Sequence, residues 1–153
     1  MMTGMRGLLI ATLLVSFFGN KIMLSTASAS PTSKLTIEIS GLKNRSGTLC
    51  LSLFSSEKGF PTQSDLALAS LCVPAEETSA SFQELVPGRY AVAVIHDFNN
   101  DGKLNTNFLG IPNEGFGFSR NPRIINRAPS FTDTAFIVSE KITKIQINLK
   151  YLF

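Results

Sequence analysis

The chain carries one run in which chemistry-bearing residues are regularly spaced: His96-Asp97-Phe98-Asn99-Asn100-Asp101-Gly102-Lys103-Leu104-Asn105, with a side-chain oxygen at Asp97, Asn99 and Asp101. Alternate oxygens followed by a glycine suit a hard cation. Asp97, Asn99 and Asp101 would converge on it, Gly102 would allow the sharp turn, Lys103 would offer its carbonyl and Asn105 a further oxygen. The pattern is the first half of a calcium loop. Its twelfth position is Phe108, where such a loop needs a bidentate glutamate, and Glu114 further along is the candidate for the missing carboxylate. Few acids among neutral oxygens imply a weak site, in the range of about 10⁻⁴ to 10⁻³ M that extracellular modules use. The competing reading is an Asx-rich turn, in which the same side chains cap their own backbone.

His96 is the sole histidine. As a general base it would pair with Asp97 or Glu114, which defines a small-hydrolase alternative. No G-x-S-x-G elbow accompanies it. One histidine and two cysteines also fall short of a zinc ligand set. The expectation is therefore a non-enzyme in which His96, like Gly102, orients the loop.

Around this run, the elements are short and apolar at alternate positions. Leu35, Ile37 and Ile39 mark a strand over Lys34 to Ser40, and Leu49, Leu51 and Leu53 mark another over Thr48 to Phe54. Leu71 to Pro74 and Ser79 to Leu85 read as strands, and Val86-Pro87-Gly88 as a turn. Arg89 to His96 is apolar at nearly every position, which suits a central strand covered on both faces. Ala135 to Ser139 and Thr143 to Tyr151 complete the set. About seven strands without an amphipathic helix predict an all-β, immunoglobulin-like or transthyretin-like two-sheet sandwich with one long ordered loop.

That loop, Asp97 to Ser130, shows no strand or helix pattern, yet it holds Phe98, Phe108, Phe116 and Phe118, with Phe131 just beyond. Loops above about 15 residues in a compact domain are usually functional or ordered by something else. A buried aromatic cluster and a bound ion are the two candidates.

Residues 1–29 read as a signal peptide: Arg6, an apolar stretch from Gly7 to Phe18, and Ala27-Ser28-Ala29 as a small-x-small cleavage pattern. The remaining 30–153 would form one domain, periplasmic or secreted and not membrane-spanning after cleavage. The net charge of +3 falls to about +1 once Arg6 and Lys21 leave, which excludes a basic stripe for nucleic acid. Cys50 and Cys72 would meet an oxidising compartment, where a single disulfide is expected.

Three motifs occur together: Pro87-Gly88-Arg89-Tyr90-Ala91-Val92, the run from His96 to Leu104, and Leu109-Gly110-Ile111-Pro112-Asn113-Glu114-Gly115-Phe116-Gly117-Phe118-Ser119. With Ala128-Pro129-Ser130-Phe131, Asp133 and Ala135 they resemble the bacterial domain of unknown function family 2141. The resemblance implies an exported bacterial β-sandwich with no established activity. Its pattern more often has Asp at the position of Asn105, so this chain has one negative charge fewer in the candidate calcium loop. The function expected is a recognition or structural module of the cell envelope, with an unidentified envelope protein or glycan as partner.

Overall fold

The computed structural model describes residues 32–125 and 127–152. The expected signal peptide lies outside them. Among the described residues eight strands are present: β1 Ser33–Ser40, β2 Thr48–Phe54, β3 Ala69–Pro74, β4 Ser79–Leu85, β5 Gly88–Asp97, β6 Gly115–Phe118, β7 Phe136–Val138 and β8 Ile142–Asn148. A 3₁₀ turn at Ser64–Leu66 and a four-residue helix α1, Phe131–Thr134, are the helical pieces. Ser130 and Asp133 close α1 with a reciprocal capping box.

The strands form two sheets, ordered β4-β1-β8 and β3-β2-β5-β6, with β7 pairing to the first residues of β5. β1 and β8 run parallel, whereas the other pairs are antiparallel. Alternation explains the packing. Leu35, Ile37 and Ile39 of β1 meet Leu49, Leu51 and Leu53 of β2, Val92 and Val94 of β5, and Ile147 and Leu149 near the C-terminus in one core. Each fully buried aliphatic side chain contributes about 1.5–3 kcal/mol, so this layer holds the sandwich together. Past β8, Lys150 exchanges two backbone hydrogen bonds with Phe116, which ties the sheets along one side.

On the outer face of the β5 sheet lies a second cluster: Phe54, Ala93, Phe116 and Phe118, with Phe60, Ala67, Leu104, Ile124 and Phe131 packed on it. The loops thus form a third layer. The expected patternless loop is corrected here, because β6 divides it. Gly115-Phe116-Gly117-Phe118 is a strand whose glycines replace the usual inward apolar residues. A Cβ at Gly117 would stand 2.7 Å from Ile147 Cγ2, and one at Gly115 would fall on the Tyr151 ring, so that face is filled from across the core. The phenylalanines occupy the other face.

Cys50 and Cys72 sit opposite each other in the β2–β3 register and form a disulfide. It fixes β3, an edge strand, to its neighbour. Among the described residues no helix is long and apolar enough to cross a membrane.

Candidate functional site

The candidate residues leave the end of β5 in two directions, because successive strand side chains alternate. His96 turns to the core side and is fully buried. Its Nε2 lies 2.7 Å from the Ser46 carbonyl oxygen and its Nδ1 2.6 Å from the Tyr151 hydroxyl. A carbonyl only accepts, so Nε2 carries a proton, which leaves Nδ1 to pair with the Tyr151 hydroxyl. The hydroxyl also accepts the Lys43 backbone N–H, and Phe98 packs on the imidazole with ring centroids 4.4 Å apart. Burial pushes the Tyr151 hydroxyl above its ordinary pKa. Both nitrogens of His96 are therefore engaged by groups other than Asp97 and Glu114. The histidine locks the Asn44–Gly47 turn, the β5 end and the C-terminal segment together.

Asp97 turns the other way, and is equally buried at 1% exposure. One carboxylate oxygen accepts the Gly102 N–H at 2.7 Å and the other the Asp101 N–H at 3.3 Å. Asn99 Oδ1 also accepts from Asp101 N, and Asp101 Oδ1 accepts from Lys103 N. Gly102 has φ +75°, the left-handed conformation that glycine adopts without strain. Asp101 Oδ2 accepts from the side-chain amides of Asn99 and Asn105. The Asn105 hydrogen bond, followed by that from Lys103 N, holds the Asp101 carboxyl below its usual pKa.

Glu114, 4% exposed, closes the loop from its far end. Oε1 accepts Phe98 N at 3.0 Å and Oε2 accepts Asn105 N at 2.9 Å. Asp97, Asn99, Asp101 and Asn105 are thus gathered through hydrogen bonds, with Glu114 joined to them through backbone amides, while Lys103 contributes its N–H. Among the described residues no three His, Cys, Asp or Glu side chains are grouped as a metal site. Among the described residues one atom stands apart: Asn105 Oδ1 is buried with no hydrogen-bond partner.

Beyond Asn105 the chain makes a small hairpin, with Asn113 N donating to Asn105 O and a bridge between Thr106 and Pro112. Its tip turns on Asn107, a residue whose sequence position suggested a carbonyl for the candidate ion rather than a turn. Asn107 Oδ1 accepts Leu109 N at 2.9 Å and Ile111 N at 3.0 Å, its carbonyl accepts Gly110 N, and its own N–H donates to Ile111 O. Phe108 at the apex is 95% exposed and Leu109 66%. The signal for this was the Asn-x-x-Gly spacing of a turn around an apolar pair.

A family model described as an uncharacterized protein conserved in bacteria (DUF2141) matches residues 37–146. The chain belongs to this family. The family 2141 match runs from β1 into β8 and takes in the Asp97 turn, the Glu114 clamp and the Phe108 hairpin. Comparison with curated proteins and with solved structures gave no match.

Proposed function

We propose that this member of family 2141 is an exported, non-enzymatic β-sandwich that recognises a cell-envelope partner through the hairpin at 105–113. The observation that carries this reading is Phe108, fully displayed on a tip where the amides of Leu109, Gly110 and Ile111 donate to Asn107. Burying such a ring in a partner is worth about 1.5–3 kcal/mol. A tip already ordered loses less entropy on binding than a mobile loop does. Export is supported by the N-terminal pattern and by a disulfide of the kind that persists in oxidising compartments. Catalysis at His96 is disfavoured by its burial and by the two partners that occupy its ring.

The test is cell fractionation of the full chain and its Phe108→Ala variant. Mature protein should begin near Ser30 and be retained with envelope complexes, and the variant should pass to the soluble fraction with unchanged thermal stability. Identical partitioning of the two would refute the reading.

A second reading, a calcium-tightened loop, is favoured by Asn105 Oδ1, a buried oxygen without a partner beside Asp101. A melt in millimolar calcium should then rise by RT ln(1 + [L]/Kd) over one in chelator. Superimposable melts would remove the ion.

A further inference from the structure

We propose that the loop carrying Arg120, Arg123 and Arg127 is a membrane-surface contact, in which the arginines engage phosphates of an anionic phospholipid bilayer and Ile125 enters the headgroup boundary. Its setting rests on the export reading above, and it is independent of the hairpin. The near-neutral charge of residues 30–153 is unevenly divided. From Gly115 to Thr132 the chain has Arg120, Arg123 and Arg127 and no acid. The fold brings two further cations to this stretch. The Arg89 guanidinium lies 5.7 Å from the centroid of the Phe131 ring, and Lys150 Nζ donates to the Pro122 carbonyl at 3.0 Å. Firm adsorption to an anionic leaflet takes about 4–8 such residues. The acid just beyond, Asp133, has its carboxylate occupied by the Ser130 hydroxyl and N–H. These bonds, and then the charges of Arg127 and Arg120, hold it below its usual pKa.

The start of the loop is pinned. Asn121 acts as an extra rung on β8, its Nδ2 donating to Gln146 O at 3.0 Å and its Oδ1 accepting Asn148 N at 2.8 Å. Arg120 and Asn121 both take left-handed backbone, at φ +64° and +48°, which residues other than glycine rarely adopt and which their contacts hold here. Ile124 packs on the outer cluster, whereas Ile125 is 72% exposed between Arg123 and Arg127. That arrangement favours one occupant. A guanidinium grips phosphate through paired hydrogen bonds, whether the phosphate belongs to a lipid or to a soluble polymer. An apolar side chain set among the cations gains where phosphates border hydrocarbon, as at a bilayer surface.

The experiment floats the chain isolated from its host with vesicles of phosphatidylglycerol and phosphatidylcholine, and with phosphatidylcholine alone. Wild type should rise with the anionic vesicles and not with the neutral ones, and should be released in about 1 M salt, where charges are screened within about 3 Å. Each basic side chain at such a surface contributes about fivefold in partitioning. The triple variant Arg120→Gln, Arg123→Gln, Arg127→Gln should therefore bind about a hundredfold more weakly. If its melt falls, Arg123→Gln with Arg127→Gln, which spares the left-handed residue, should still lose about twenty-fivefold. Ile125→Asn should lose about tenfold. Lys34→Gln with Lys141→Gln removes two charges at the paired start of β1 and β8 and should float as wild type. The ratio of wild type to variant reads the loop, and N-terminal sequencing of the same sample reads export, so the two can fail separately. In the fractionation above, a high-salt wash removes this contact and leaves that of Phe108. No flotation with anionic vesicles, equal flotation with neutral ones, undiminished binding by the arginine variants or an equal loss in the lysine variant would overturn the proposal. Tighter binding to polyphosphate than to vesicles at equal phosphate, unchanged by Ile125→Asn, would overturn the bilayer in favour of a soluble polymer.

Discussion

The carboxylate of Glu114 meets the backbone N–H of Asn105 at 2.9 Å, and its other oxygen takes the N–H of Phe98. One buried side chain thereby clamps both ends of the Asp97 turn. Glu114→Ala leaves two amides without their acceptor, at a cost of about 2–4 kcal/mol. Glu114→Gln, which keeps one carbonyl oxygen, should lose roughly half of that. Urea unfolding checks both values, and a loss below about 0.5 kcal/mol, typical of surface sites, would contradict the clamp.

Asp101 should titrate below the ordinary aspartate value of 3.8, because its charged form accepts from Asn105 and from Lys103 N. A depressed folded pKa contributes stability above the unfolded pKa, lost as pH falls through the folded one. Asn105→Ala removes the largest cause, so the carboxyl resonance of Asp101 should shift its midpoint upward in an NMR titration.

Tyr151 moves in the opposite sense, with burial raising its hydroxyl above 10.0. Stability from the protonated phenol is then present below the unfolded pKa and lost as pH rises through the folded one. Alkaline melts should show this loss in wild type and not in Tyr151→Phe. At neutral pH the variant should be about 1–2 kcal/mol less stable, because His96 Nδ1 loses its partner.

Reducing the Cys50–Cys72 bridge, or replacing both residues with serine, should lower stability by about 3 kcal/mol in the chain-entropy picture for a loop of this length. Amide exchange should rise first along β3, the edge strand that the bridge holds to β2. Uniform acceleration across both sheets would contradict that local role.

Much of the sandwich was legible because β1, β2 and β8 write their burial as period-two alternation and β5 as a continuous apolar run. β6 was not, since its inward positions are Gly115 and Gly117 and the atoms filling that face belong to Ile147 and Tyr151, distant in sequence. The parallel pairing of β1 with β8 is likewise a long-range choice that neither strand encodes alone. In the site, the residue types from Asp97 to Asn105 pointed to a turn built on side-chain oxygens. What those oxygens bind depends on backbone donors, to which sequence gives no distance, so the amide partners of Asp97 and Glu114 emerge from the fold. The five loop phenylalanines look alike in sequence. Phe116, Phe118 and Phe131 join the outer cluster, Phe98 covers His96, and Phe108 alone among them stands in solvent.

The 98–114 loop is held in shape by its own side chains and so presents Phe108 ready-formed. NMR-detected amide exchange in chelator tests this most directly at Gly102, Asn105, Leu109 and Ile111, whose N–H groups donate to Asp97, Glu114 and Asn107. All four should exchange at least about tenfold more slowly than an unstructured peptide. Exchange at unprotected rates, or protection that returns only with added calcium, would show that the loop does not hold its own shape.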